Sequence, residues 1–396
     1  MFMTDHVGGS LQSLRESNRE RLIALLREHG ALHRAELARR AGVSRATVTT
    51  IVNELLAGGV VVEGAGSEPA NGGPTAKRAA LTLNPEAGVI VGLDFSAGSV
   101  TGVIADLSHQ VLADGTRALA PQLGWMGRLD VGAELIDEMR ADAGVTGRPL
   151  AGVGLGIPGP VDWTTGEIGT SSKSLEWAGA RPSAQLAERL GVPVRQDNTA
   201  HLGALAEAVW GAARGSRHVV YVKVSAGLSA GLVIDGQMCR GALGATGALG
   251  HTCAVPDGPL CSCGSRGCLE LYAATPAILE AVRPHHPDAS FEGVAERAAD
   301  GDRPCRRALA DAATMLGRSL AGVCNLLNPE SIIVGGDLTA AGDLVMGPLR
   351  TAVTDHALPI ATQALSIGWG DLGDRAGAMG GVALMLQEPE SIGASS

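Results

Sequence analysis

The chain has 396 residues, among them 56 Gly but only five Trp, two Tyr and three Phe, and a net charge of −10. That length allows two or three well-filled cores built on aliphatic packing and tight turns, and no apolar run reaches the length of a membrane span. The opening stretch MFMTDHVGG lacks the basic and apolar regions of a secretory signal, so the expected location is the cytoplasm. Charge is spread unevenly: residues 1–80 hold ten Lys/Arg against eight Asp/Glu, and the remainder carries the whole acidic excess. An acidic body repels a polyanion, so any nucleic acid is expected to meet the N-terminal part.

In chain order, Ser17 stands three residues before Glu20, a capping-box spacing, and Leu22, Ile23, Leu25 and Leu26 recur at helical intervals up to Gly30. His33 and Arg34 lead into AELARRAG, a short helix stopped at Gly42. Ser44 then caps a third helix, RATVTTIVNELLAGG, with an apolar stripe of Val48, Ile51, Val52 and Leu55. Two short helices joined by the turn Ala41-Gly42-Val43 predict a helix-turn-helix, with the start of the third helix aimed at a DNA major groove. The DNA-contacting residues expected are Arg34, Ser44, Arg45, Thr47, Thr49 and Thr50. After Gly59, the pattern VVVEGAG, a turn-rich SEPANGGPTAKR and a returning AALTL predict a wing whose Lys77 and Arg78 follow the DNA backbone or enter the minor groove. The alternative is a small helical domain with a solvated loop; helix, turn, helix and wing in this order favour double-stranded DNA as the partner.

From Gly88 the character changes. The runs VIVGLDFSAGSV, GVGLGIPGPVD, VVYVKVSAGLSAG and SIIVGGDL read as strands followed by glycine turns, the units of an α/β domain. Between the last two lies HTCAVPDGPLCSCGSRGCLE, in which His251, Cys261, Cys263 and Cys268 bring one imidazole and three thiols within reach of one tetrahedral metal. Soft thiolates plus imidazole favour zinc, and four protein ligands leave no position for a catalytic water, so the predicted Zn2+ is structural. A disulfide framework is the weaker alternative without a secretory context.

These pieces together resemble the ROK family of repressors, uncharacterised open reading frames and sugar kinases, in its subgroup with an N-terminal DNA-binding domain. The most specific are Gly247-x-x-Gly250-His251, the string Cys261-x-Cys263-Gly264-x-x-Gly267-Cys268-x-Glu270, Gly156-x-Pro158-Gly159-x-Val161, and Asn328-Pro329-Glu330 leading to Gly335-Gly336. The resemblance implies an α/β fold: an N-terminal winged helix-turn-helix followed by a two-lobed actin/hexokinase-like, ribonuclease H-like ROK domain. The boundaries expected are 1–84 for the DNA-binding domain, 85–200 for the first lobe, 201–386 for the second lobe with the zinc loop, and 387–396 for a disordered tail.

Departures from the family pattern decide the expected function. Kinases of the family have an Asp-x-Gly-Gly-Thr turn at the ATP phosphates, where this chain has Asp94-Phe95-Ser96-Ala97-Gly98, and a Gly-Thr-Gly-x-Gly turn, where it has Ser225-Ala226-Gly227-Leu228-Ser229. The general-base Asp of Glu-Asn-Asp-Ala-Asn falls on Thr199 of Asp197-Asn198-Thr199-Ala200-His201, and a threonine hydroxyl is no base near neutral pH. Family sugar ligands map to Asn198, His251 and Glu270, with Ala248 in place of a further Glu. The reading is therefore a DNA-binding transcriptional regulator, a repressor, with a catalytically inactive effector and oligomerisation body. A small-molecule effector (sugar or non-sugar metabolite), an operator with an inverted repeat, and a homodimer or homotetramer are expected with it. The alternatives are a bifunctional ATP-dependent sugar kinase carrying a DNA-binding domain, and an architectural DNA-binding protein without effector.

Overall fold

The computed structural model describes residues 11–64, 80–169 and 175–387. Lys77, Arg78 and most of the expected tail lie outside the described residues. The N-terminal unit comprises helices α1 (Leu11–His29), α2 (Arg34–Ala41) and α3 (Arg45–Ala57) and the antiparallel pair β1 (Val61–Gly64) and β2 (Ala80–Leu83). Gly42 ends α2 at φ 66°, a left-handed conformation that glycine takes without steric cost, and Ser44 caps α3 by accepting from the Thr47 amide at 3.1 Å. Val48, Ile51, Val52 and Leu55 are all buried, as their spacing predicts. Ser17 differs from expectation: it lies exposed inside α1, because the helix-compatible sequence LQSLRE continues upstream of it and no breaker precedes it.

The first lobe contains β3 (Val89–Phe95), β4 (Ser99–Asp106), β5 (Val111–Ala118), α4 (Trp125–Asp142), β6 (Leu150–Ile157), α5 (Pro182–Leu190), β7 (Val194–Asn198) and α6 (Thr199–Val209). Its sheet runs β5-β4-β3-β6-β7, antiparallel on the β5 side of β3 and parallel on the other. The second lobe begins with β8 (Val219–Val224), β9 (Leu228–Ile234) and β10 (Gln237–Met238). It continues through α7 (Glu270–Ala273), α8 (Thr275–Val282), α9 (Phe291–Ala299), α10 (Arg303–Leu327), β11 (Ser331–Gly336), α11 (Asp343–His356), α12 (Pro359–Thr362) and β12 (Ser366–Trp369). Its sheet repeats the arrangement, β10-β9-β8-β11-β12. The four runs read as strands from sequence are β3, β6, β8 and β11. None of the described helices is long and apolar enough to cross a membrane.

The last helix, α13 (Ala376–Gln387), does not stay with the lobe that precedes it in the chain. AGAMGGVALML is buried along its whole length, and the helix packs on β3 and β6 of the first sheet and against α6. Close approach needs glycine here: a Cβ on Gly92 would stand 1.8 Å from the Ala378 carbonyl oxygen, and one on Gly154 2.1 Å from that of Gly381. The same helix contributes Ala378, Met379, Val382, Met385 and Leu386 to a core shared with Leu22, Leu26, Leu37 and Leu55 of the N-terminal unit. The winged unit is therefore packed onto the first lobe and not merely tethered to it.

Candidate functional site

Three constellations carry chemistry. On α3, Arg45, Thr49 and Thr50 are exposed, and Arg45 makes no ion pair among the described residues. Thr49 and Thr50 donate their hydroxyls to the carbonyls of Arg45 and Ala46, which leaves oxygen lone pairs facing outward. Ser44 and Thr47 bond to each other at 2.8 Å and serve the cap. Arg34 is positioned differently from the rest: its guanidinium pairs with Glu63 of β1 at 3.1 Å, bracing α2 against the wing strand.

The second constellation is the cysteine loop. His251 Nδ1 lies 3.7 Å from Cys261 Sγ, Cys263 Sγ lies 3.6 Å from Cys268 Sγ, and all four ligand atoms fall within 4.8 Å of one another. Zinc bonds of about 2.3 Å to sulfur and about 2.0 Å to nitrogen give tetrahedral edges of roughly 3.5–3.8 Å, so the donor set fits a four-coordinate zinc. Gly264 and Gly267 turn the loop at φ 88° and 62°, and a Cβ on Gly267 would collide with the Val255 carbonyl at 1.6 Å. Burial pushes the Cys268 thiol up to about 12. Burial acts on Cys261 in the same sense, but hydrogen bonds from the Cys263 backbone and His251 bring it down to about 7.

The third is a cavity of about 510 Å³ between the lobes, lined by Asn198, Thr199, Lys223, Ala248, His251 and Glu270 among others. The structure thus brings the three expected ligand-binding residues to one cavity, Asn198 from the first lobe and His251 and Glu270 from the second, and two of them have bracing roles. Asn198 accepts from the Ala200 amide at 2.8 Å as the cap of α6 and donates to the Gly159 carbonyl at 2.7 Å, while Glu270 accepts from the Leu228 amide at 3.1 Å and so fixes the 225–229 turn. His251 serves both the cavity and the cysteine loop. Of the two turns expected at phosphates, Ser96 closes on Ser99 and its carbonyl, with that of Ala97, accepts from Arg128 at 3.2 and 3.1 Å.

Thr199 is the first residue of α6 and buried. Asp197, the nearest carboxylate in sequence, is 3% exposed and accepts three times: from the Asn198 amide at 2.7 Å, from His201 Nδ1 at 2.7 Å and from Arg240 Nε at 2.6 Å. His201 Nε2 faces the Thr246 carbonyl at 2.8 Å. Both ring nitrogens face groups that only accept, so both carry protons and His201 is an imidazolium. Burial opposes that charge, but the bonds to Asp197 and Thr246 outweigh it and hold the His201 pKa above its ordinary value; Asp197 is held below its own despite burial, by His201 and Arg240. Sequence reasoning missed this clasp, and also Lys223, whose ammonium reaches Asp94 of the opposite lobe at 3.1 Å.

Comparison with known proteins agrees with this architecture. The model for the ROK family matches residues 90–388, and one for winged helix-turn-helix DNA-binding domains matches residues 15–62. The xylose repressor of Bacillus subtilis is 27% identical over 376 residues, covering 94% of this chain and 96% of its own. Among solved structures, a ROK family transcriptional regulator homologous to the E. coli MLC protein superposes with a TM-score of 0.78 at 24% identity, over 94% of this chain and 96% of that one. A ROK family glucokinase from Streptomyces griseus, in complex with glucose and AMPPNP, gives 0.67 at 26% identity, over 76% of this chain and all of the other. Family match, winged unit, cysteine loop and two-lobed cleft together establish that the chain belongs to the ROK family.

Proposed function

We propose that this protein is a DNA-binding transcriptional repressor in which a kinase-like body has become an effector-sensing and oligomerisation module. The observation that carries this reading is the exposed start of α3, where Arg45 stands free beside Thr49 and Thr50 in a winged helix-turn-helix. Its relatives along nearly the whole chain include proteins named as repressors. The protein binds an inverted repeat as a homodimer or homotetramer, since one short helix reads few base pairs and symmetry doubles the reading. Arg45→Ala should weaken binding to a selected operator by about 1–3 kcal/mol and relax its specificity, whereas Lys77→Ala and Arg78→Ala should lower affinity evenly across sequences and flatten the salt dependence. Gel-shift titrations at several salt concentrations measure both. Undiminished operator affinity in folded Arg45→Ala would rule out this placement of the recognition surface.

The body does not transfer phosphate. Thr199 stands where a base is required, and Asp197 is held below its ordinary pKa as the shared acceptor of His201, Arg240 and a backbone amide, which makes it a weak proton acceptor. Hexose-dependent ADP release should be undetectable. Thr199→Asp alone should not restore it, because nucleophile activation and phosphate positioning fail together. Turnover with any hexose or amino sugar, lost in Asn198→Ala, would make a working kinase joined to a DNA-binding unit the better account. His251, Cys261, Cys263 and Cys268 hold a structural zinc that stiffens the loop and presents Glu270 to the cleft.

A further inference from the structure

We infer that Cys253 is an oxidant-sensing thiol, and that a hydroperoxide joins it to Cys268 in a reversible disulfide that takes Cys268 out of the zinc ligand set. The inference rests on the reading of the cysteine loop as a zinc site and adds a way of switching it. The segment from His251 to Cys268 carries four cysteines, yet a tetrahedral metal held by one imidazole uses three. Cys253 is the one left over. It is exposed, and its thiol has no hydrogen-bond partner among the described residues. Cys305 and Cys324, by contrast, are sealed in the core along α10.

The backbone sets Cys253 directly opposite Cys268. The two form an isolated antiparallel bridge, flanked by hydrogen bonds from the Ala254 amide to the Gly267 carbonyl at 2.8 Å and from the Leu269 amide to the Thr252 carbonyl at 2.9 Å. Those bonds belong to the residues on either side, so Cys253 and Cys268 are a non-hydrogen-bonded pair, the kind whose Cα atoms lie about 4.5 Å apart. A disulfide spans Cα separations of roughly 4.4–6.8 Å, so this one forms by rotating side chains with little shift of backbone. Cys268 Sγ points instead into the ligand cluster, 3.6 Å from Cys263 Sγ. A sulfur in a disulfide is no longer a thiolate, so the bridge and metal ligation by Cys268 exclude each other.

The chemistry balances in two steps. The Cys253 thiolate attacks an oxygen of the hydroperoxide, the O–O bond breaks with release of an alcohol or water, and Cys253 becomes a sulfenic acid. The Cys268 thiolate then attacks the Cys253 sulfur, and the departing hydroxide takes up a proton as water. Two electrons pass from the two sulfurs to the peroxide. His251, Cys261 and Cys263 remain as ligands, one short of a closed site. The change reaches the cleft, because Leu269 and Glu270 follow Cys268 directly, Glu270 fixes the Leu228 amide at 3.1 Å and His251 lines the cavity. In a reducing compartment such a bridge is transient, as a sensor requires.

The test uses the full chain, purified under reducing conditions and analysed for metal, with hydrogen peroxide as probe. Peroxide should release about one zinc per chain, read with a chromophoric chelator, and peptide mapping after free thiols are blocked should find Cys253 joined to Cys268. Cys253→Ser leaves all four ligands in place, so it should hold zinc as wild type does and release it at least about tenfold more slowly. Dithiothreitol with added zinc should restore the starting metal content. If Cys253→Ser does not fold, trapping of sulfenic acid with dimedone in wild type decides, with Cys253 labelled ahead of the other six cysteines. Release as fast in the variant, a Cys263–Cys268 bridge in place of the expected one, labelling first elsewhere, or metal loss that reduction does not reverse would each overturn the inference. Zinc-free starting protein would sink the zinc reading together with it; zinc that stays bound under peroxide sinks this inference alone.

Discussion

Asp197→Ala should lower the free energy of unfolding by about 3–5 kcal/mol, the cost of leaving buried charges without their counter-ion. The carboxylate is the shared acceptor for His201, Arg240 and the Asn198 amide, and His201 is wholly buried, so removing the carboxylate leaves an imidazolium where water cannot reach it. The pH dependence has a definite sign. His201 is raised above 6.5, so its contribution is complete below that value and is lost as pH climbs through the higher folded value; Asp197 is lowered below 3.8, so its contribution is complete above that value and is lost as pH falls through the lower one. The gap between wild type and Asp197→Ala should therefore be widest in mildly acidic solution and shrink on the alkaline side. Urea unfolding between about pH 5 and pH 9 measures it. A gap that stays constant across that range would mean that His201 is neutral in the folded protein.

Removing the zinc proposed for the cysteine loop should have the other large effect. The loop from Thr252 to Leu269 contains no helix or strand of its own: besides the four convergent ligands, the isolated bridges Cys253–Cys268 and Leu260–Arg266, backbone hydrogen bonds such as Cys261 to Ser265 and Gly267 to Pro259, and glycine turns shape it. Freshly purified protein is expected to contain about one zinc per chain, and chelation or Cys268→Ser should cost several kcal/mol of local stability. The loss reaches the cleft, because Leu269 and Glu270 follow the last ligand directly and Glu270 fixes the Leu228 amide. Metal analysis with hydrogen exchange over residues 249–270 and 225–229 tests both halves. Zinc-free protein with full protection in those segments would refute the structural role.

What could be read from the sequence depended on how far apart the partners lie along the chain. The apolar stripe of α3, the Ser44 cap and the cysteine loop each rest on neighbours within about ten residues, so spacing alone suffices. Ser17 shows the limit of short patterns, since a capping-box spacing also occurs by chance inside α1. Among the expected DNA contacts, Arg34 pairs with Glu63 of the wing strand, a partner that only the fold brings near. The clasp around Asp197 joins residues 43 positions apart and the Lys223–Asp94 pair joins residues 129 apart. No periodicity marks such pairs; only the two-lobed topology does. The kinase-like pattern of residues 197–201 singles out Thr199 where a base is expected, yet carries no sign of the clasp that Asp197 and His201 make with Arg240.

The position of α13 also bears on how the protein is made. The face of the first sheet covered by this helix belongs to strands that leave the ribosome some two hundred residues or more earlier, and Gly92 and Gly154 keep that face smooth for a partner not yet synthesised. Until the final helix emerges, the nascent first lobe exposes aliphatic surface, and the winged unit lacks part of the core it shares with that helix. Nascent chains of this protein are thus expected to occupy chaperones until α13 has emerged, and the winged unit is expected to reach full stability only then.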